Sequence, residues 1–185
     1  MASFTERMIG AAKLDAKAFE EVEHDKTATG QAMAVVAMSS IASGIGASGS
    51  MGLVGLAFGT ITALVGWVIS SLLIYFIGTR LMPEESTEAD AWQLMRVMGF
   101  AQAPGILRVL GIIPFIGPLT NFAVWLWVLA ALVVAVRQAL DYSNTGKAIA
   151  VCLVGLGAWI ALTLAMGLIV VLLGFATHAA TQFAT

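Results

Sequence analysis

The sequence predicts an all-α fold: a polytopic membrane protein built as a bundle of five transmembrane helices with an N-terminal cytoplasmic amphipathic helix. Composition is the first observation behind this prediction. Of the 185 residues, 59% are hydrophobic and 11% are charged, whereas about a quarter of the residues in soluble domains are charged. The mean hydropathy is +0.93. A soluble fold this small has too little interior for so many apolar side chains, so the bilayer is the expected solvent.

The second observation is that the apolar residues gather into five blocks. These cover residues 31–49, 51–78, 91–113, 119–136 and 148–176. A transmembrane helix needs roughly 20 apolar residues, and each block is close to that length or longer. The first block is weak because it is rich in alanine, serine and glycine, and the third is the least certain span because Arg96, Gln102, Pro104 and Arg108 interrupt it. A re-entrant third segment is the alternative, which would leave four spans and return the C-terminus to the side of the N-terminus.

The polar N-terminal segment has the pattern of an amphipathic helix. Ser3 followed three residues later by Glu6 is a capping box. Apolar side chains then recur at helical spacing, with charges on the opposite face: Met8, Ala12, Ala16 and Phe19. Residues 1–26 hold four basic and six acidic side chains, so anionic lipid does not attract the segment. It is expected to lie on its own bilayer or helices, with docking of a partner protein as the alternative.

The distribution of lysine and arginine predicts the orientation. With the N-terminus in the cytoplasm, every lysine and arginine except Arg108 falls at or near the cytoplasmic side. This is the positive-inside pattern. The predicted organisation is a cytoplasmic helix and linker over residues 1–28, a transmembrane domain over 29–178 and an extracytoplasmic tail over 179–185.

A glycine series spans the turn between the first two blocks: Gly46, Gly49, Gly52, Gly55 and Gly59. Small residues let transmembrane backbones approach closely, and a turn uses the conformational freedom of glycine. The series therefore predicts a tightly packed helical hairpin. A cradle for an ion or phosphate is the alternative, although no lysine or acid lies nearby.

Polar residues in the third and fourth blocks are the candidate lipid-binding or polar-path residues: Arg96, Gln102, Pro104, Arg108 and Asn121. Charged groups within membrane segments are costly and often functional. Arg96 is expected to extend to the cytoplasmic headgroups. Arg108 is expected either to extend to the outer headgroups or to bind a lipid phosphate or the carbonyls that Pro104 frees.

Three prolines are expected to shape the same region. Pro104 should loosen the third helix because proline removes a backbone donor. Pro114 and Pro118 should form a tight outer turn into the fourth span.

Residues suited to catalysis are scarce. The two histidines, His24 and His178, lie in the polar N-terminal segment and in the tail, and Cys152 is the single cysteine. The sequence contains no zinc-protease, Walker or nucleophile-elbow motif. No two carboxylates share an apolar block, so an acid–base pair there lacks residues. We therefore expect no enzymatic activity, cofactor or metal site, and the net charge of −2 does not favour nucleic acid.

The segment from Gly99 to Val151 resembles the Yip family of polytopic membrane proteins (Ypt/Rab-interacting in eukaryotes). The resemblance rests on an alanine-proline element in the third block, a proline-glycine turn, a tryptophan-led fourth block and a lysine-alanine entry to the fifth: 103–107, 114–118, 125–136 and 147–148. Residues 25–32, DKTATGQA, look like the entry to the first span in prokaryotic members. The chain lacks the DLYGP element of eukaryotic members, so it is more similar to a prokaryotic-type member.

The resemblance implies a five-span fold with the N-terminus in the cytoplasm and the C-terminus outside, here in a prokaryotic cytoplasmic (inner) membrane. The expected function is a non-enzymatic membrane organiser or adaptor. Its expected partners are the lipid bilayer and either another membrane protein or further copies of the chain. The alternative is a small transporter, channel or lipid-translocating protein with a polar path near the third helix. One cavity lined by Gln102, Arg108 and Asn121 would favour that alternative.

Overall fold

The computed structural model describes residues 2–47 and 52–183, with side chains described as far as Gly174. Within these ranges the regular structure is entirely helical. Gly49, one of the predicted packing glycines, lies outside the described residues. The helices in chain order are α1 (Phe4–Ala12), α2 (Ala16–His24), α3 (Ala28–Gly46), α4 (Gly52–Phe76), α5 (Ala91–Phe100), a 3₁₀ segment (Ala103–Ile112), α6 (Gly117–Ala139) and α7 (Thr145–Phe183).

Two short helices replace the single N-terminal helix that the sequence predicts. The predicted capping box at Ser3 and Glu6 starts α1. The chain then breaks at Leu14, whose φ is 61°, and Asp15 caps α2 by accepting from the Lys17 amide. The turn brings α1 and α2 so close that a Cβ at Gly10 would lie 2.6 Å from the Ala18 Cβ.

Four helices are long and apolar enough to cross a membrane within the described ranges. They are α3, α4 together with a following π-helical turn to Leu81, α6, and residues 145–174 of α7. Apolar side chains cover the outside of these helices, as lipid-facing surfaces require. These helices correspond to the first, second, fourth and fifth predicted blocks. The third predicted block is not among them because it is divided.

The third block forms two helices of different kinds. α5 ends at Phe100, and a 3₁₀ segment with Pro104 in its first turn begins at Ala103. The helix is divided just before Pro104, where the sequence predicts only a loosened helix, and Pro118 lies in the first turn of α6, directly after the predicted turn. An α-helix rises about 1.5 Å per residue and a 3₁₀ helix about 2 Å. The two pieces, of ten residues each, therefore measure about 15 Å and about 20 Å.

The third block lies alongside α3 from the first turns of that helix to its last. Three glycines of the block, here named the glycine seam, contact three small residues of α3 in the same chain order: Gly99 with Ala32, Gly105 with Ser39, and Gly111 with Gly46. A Cβ at Gly99 would lie 2.7 Å from the Ala32 Cβ, and one at Gly105 would overlap the Ser39 hydroxyl. The two segments therefore run parallel with their backbones in close approach.

The end of the bundle near α1 and α2, here named the N-terminal end, is tied by polar contacts. The Tyr142 hydroxyl lies 3.1 Å from the Gly78 carbonyl and 2.6 Å from the Met82 carbonyl. The Lys147 ammonium donates to the Pro83 carbonyl at 2.7 Å. These contacts hold the segment after α4 against the connection between α6 and α7. The opposite end of the bundle is the one at which α3 ends, here named the Gly46 end.

Candidate functional site

Arg96 is buried inside the protein rather than extended to headgroups. Its side chain is 4% exposed, and its Nε donates to the carbonyls of Val22 at 3.2 Å and Glu23 at 3.1 Å. Its Nη2 also donates to the Glu23 carbonyl. The last carbonyls of a helix have no partner within the helix, and the negative end of the helix dipole favours a cation. Arg96 therefore fixes the C-terminal end of α2 to α5, and its side chain does not extend outward as expected.

Arg7 is a second buried cation, which the sequence analysis did not single out. It is 2% exposed and pairs through Nη2 with Glu21 at 2.9 Å and Asp25 at 2.7 Å. Its Nη1 donates to the Gln31 amide oxygen at 3.1 Å. One side chain thus links α1, α2 and α3. Hydrogen bonds from Thr27 and Arg7 lower the pKa of Asp25 to about 2.

Glu23 is a buried acid in the last turn of α2, the turn that Arg96 holds. Desolvation of its carboxyl raises its pKa to about 7. Arg96 and His24 act in the opposite direction, whereas Asp141 and Glu20 add to the increase. The attachment of α2 therefore contains a carboxyl that titrates near neutral pH.

Arg108 faces a cavity of about 320 Å³ between α3, α4, α7 and the 3₁₀ segment. Its backbone carbonyl lies against Gly46, whereas its Nη1 comes within 3.6 Å of a Cβ placed at Gly105. The side chain therefore points back along the 3₁₀ segment, away from the Gly46 end. Within the described part of the chain, the Arg108 side chain makes no hydrogen bond or ion pair. The polar side chains lining this cavity are Ser39, Ser40, Ser43, Ser70, Gln102 and Arg108.

A second, mainly apolar cavity of about 360 Å³ adjoins the first. It lies between α4, α5, α6 and α7, and leucine, isoleucine, valine and tryptophan side chains form most of its wall. Ser70, Gln102 and Trp159 line both cavities. These three side chains therefore stand between a polar compartment on one side and an apolar compartment on the other.

Comparison with known families identifies the fold. The family model of the Yip1 domain matches residues 15–166. The chain belongs to the Yip family. The match begins at α2 and includes α3 to α6, the 3₁₀ segment and both cavities. No curated protein and no solved structure matches the chain.

Two of the predicted polar-path residues of this Yip domain meet in one cavity, and the other three do not. Gln102 is half-buried where the two cavities adjoin, beside Arg108. Pro104 is buried and faces α1 in a shallow cavity with Met8 and Trp127. Asn121 is exposed, with its amide nitrogen 3.0 Å from a Cβ placed at Gly111. Arg96, the fifth candidate, bonds to α2 as described above.

The predicted glycine series occupies different environments in the Yip domain. A Cβ at Gly46 would overlap the Arg108 carbonyl, so the backbones meet there. Gly52, with φ of 60°, starts α4, and a Cβ added at Gly59 would have no other atom within 4 Å. Gly55 is half-buried. The glycine seam was missed by the sequence analysis because its six-residue spacing matches no α-helical period.

The last feature of this Yip domain is the distribution of its possible metal ligands. No group of three histidine, cysteine, aspartate or glutamate side chains among the described residues is placed to hold a metal ion. The thiol of Cys152 lines the apolar cavity. What the site offers instead is a cation, several hydroxyls and an adjoining apolar compartment.

Proposed function

We propose that this Yip-family membrane protein is a non-enzymatic organiser or adaptor that binds other membrane proteins or further copies of itself. The observation that carries the proposal is a polar surface on the α1–α2 layer, which is fixed to the bundle by Arg7 and Arg96. A depression of about 550 Å³ there is lined by charged side chains of both signs: Arg7, Lys17, Glu20, Glu21, His24 and Asp25. A surface of mixed charge suits a protein partner better than anionic lipid, which attracts polybasic segments.

The rigid attachment of this layer supports the same proposal. Trp127, near the middle of α6, donates its indole N–H to the Ala12 carbonyl at 2.7 Å. Phe4 contacts Phe100 edge to face, with ring centroids 6.2 Å apart. α1 is thus anchored to α5 and α6, so the partner surface is held in one position relative to the membrane spans. Preorganisation of this kind reduces the entropic cost of binding.

A continuous polar path is less well supported. Gln102 and Arg108 share a cavity, but Asn121 lies outside it. Coupled transport commonly uses buried acids or histidines, and none lines either membrane cavity among the described residues.

We further propose that the chain crosses the membrane five times, with the N-terminus in the cytoplasm and the C-terminus outside. The glycine seam supports a third crossing because it follows α3 over the length of a candidate span. Placement of single cysteines in a Cys152→Ala background, at Lys17 and at Thr185, tests this topology by reaction with a membrane-impermeant maleimide. Labelling of both positions from the same compartment would contradict it.

The adaptor proposal is tested by site-specific photo-crosslinking in membranes followed by mass spectrometry. We expect one recurrent membrane-protein partner, or the chain itself, crosslinked from the α1–α2 surface. Charge reversal at Lys17 should reduce that product several-fold, whereas the matched reversal at Lys26, which is exposed outside the depression, should not. Recovery of the chain alone, together with solute or lipid flux in liposomes, would overturn the proposal.

A further inference from the structure

Arg108 is a cation in a membrane-spanning bundle, and no described residue provides a counter-charge for it. No aspartate or glutamate lines its cavity among the described residues, and its guanidinium has no hydrogen-bond partner there. A guanidinium carries five N–H donors, and an unpaired charge at membrane depth is costly. This arrangement calls for an anion that the described residues do not supply.

The serines beside Arg108 favour the same kind of ligand. The hydroxyls of Ser39, Ser40 and Ser43 have no hydrogen-bond partner within the described part of the chain, and all three line the cavity. A hydroxyl can donate to an anionic oxygen as readily as it accepts. Arginine with several hydroxyls is a donor set suited to phosphate, whose oxygens accept from both.

The adjoining apolar cavity favours an amphiphilic ligand over a free anion at the Arg108 site. A free phosphate would fill only the polar compartment. The apolar compartment begins at Ser70, Gln102 and Trp159 and continues toward the N-terminal end, where Ile149 and Cys152 lie in the first turns of α7. Its volume and lining are those of a site for a hydrocarbon group.

We propose that the two cavities together form a binding site for an anionic phospholipid. The phosphate binds Arg108 and the serine hydroxyls, and one acyl chain enters the apolar cavity. Relative to the apolar compartment, the polar compartment lies toward the Gly46 end, since its lining includes Ser43 in the last turn of α3. A lipid in the leaflet at the Gly46 end would therefore enter with its headgroup facing the polar cavity and its acyl chain directed toward the apolar cavity. This proposal does not depend on the adaptor function.

The experiment measures lipid binding to the full-length protein in phosphatidylcholine nanodiscs and by native mass spectrometry. We expect dioleoyl phosphatidylglycerol to bind in preference to dioleoyl phosphatidylcholine. Arg108→Gln should reduce that preference at least tenfold, and Arg108→Lys should retain part of it. Arg80→Gln is the matched control, because Arg80 is exposed at the N-terminal end and outside both cavities. Equal preference in Arg108→Gln and wild type would overturn the proposal.

A second pair of variants tests the acyl-chain compartment. Leu156→Trp should fill the apolar cavity and weaken phosphatidylglycerol binding several-fold. Leu126→Trp is the matched control, because Leu126 is similarly exposed on α6 but lines neither cavity. Inorganic phosphate serves as the comparison ligand. If phosphate alone stabilises the protein as strongly as the lipid, and Leu156→Trp has no effect on lipid binding, the site is for a free anion and the lipid proposal fails.

Discussion

The two halves of the third block carry one arginine each and satisfy it in opposite ways. Arg96, on α5, is 4% exposed and bonded to two carbonyls of α2. Arg108, on the 3₁₀ segment, faces a cavity and has no partner in the described part of the chain. The Arg96 side chain links two helices, whereas the Arg108 side chain is available to a ligand. The same residue type in one apolar block thus has a structural use at one end and an open site at the other.

The largest expected loss of stability comes from removing the hydrogen bonds between Arg96 and α2. Arg96→Met should destabilise the protein by about 3 kcal/mol, because hydrogen bonds to a charged group are lost and two buried carbonyls are left without a donor. The melting temperature in detergent micelles, compared with that of Arg108→Met, measures the difference between the two halves. A loss no greater than that of Arg108→Met would refute the structural use of Arg96.

The next effect concerns the close approach between α3 and the 3₁₀ segment. Gly46→Ala should cost about 2 kcal/mol, because its Cβ would overlap the Arg108 backbone carbonyl and overpacking costs about 1–3 kcal/mol. Gly59→Ala is the control: its Cβ has open space, and alanine is about 1 kcal/mol better than glycine within a helix. Equal melting temperatures for the two variants would contradict the close contact.

A smaller, pH-dependent effect is expected where α2 meets Arg96. The pKa of Glu23 is about 7 in the folded protein, above its ordinary value of 4.5, so the folded state binds the proton more tightly. This contribution to stability is complete below about pH 4.5 and is lost as the pH rises through about 7. Melting temperatures should therefore fall between pH 5.5 and pH 8.

The matched variant isolates Glu23 from the other acids. The pKa values of Glu21 and Asp25 are lowered, so neither carboxyl titrates between pH 5.5 and pH 8. Glu23→Gln should make the melting temperature nearly independent of pH between pH 5.5 and pH 8. If the melting temperature of this variant still fell as steeply as that of the wild type, another group would be responsible.

The smallest effect is expected at Arg108 itself. In a purely zwitterionic environment, Arg108→Met should change the melting temperature by no more than about 2 °C, since no bond within the described protein is lost. Differential scanning fluorimetry in phosphatidylcholine nanodiscs measures this directly. A loss as large as that of Arg96→Met would show that Arg108 supports the fold and would remove the contrast between the two arginines.

Much of the architecture could be predicted because apolar runs and prolines determine the structure of the segments in which they occur. The four candidate spans follow from long apolar runs, and a distortion of the helix near Pro104 follows from its missing N–H. The partners of Arg96 could not be predicted, since its acceptors lie 73 and 74 residues away in the chain. The turn at Leu14 was missed because that residue is apolar and carries no turn signal of its own.

The candidate site was predictable only in part. Gln102 and Arg108 were selected as polar residues in an apolar block, and the structure places both on one cavity. The serines that complete its lining belong to α3 and α4, and serine in a transmembrane helix is too common to be a signal. Asn121 met the same sequence criterion as Gln102, yet helix rotation places it on an exposed face.

The glycine seam has a mechanical consequence. Its contacts are spaced seven residues apart on α3 and six apart on the third block. Only one alignment of the two segments therefore brings all three pairs of small residues into contact. A slip of one residue would replace small side chains by larger ones at every contact point. α3 and the third block are therefore expected to move as a single rigid unit in any rearrangement of the bundle. α4 and α7, which also line the Arg108 cavity, are the helices expected to move relative to that unit.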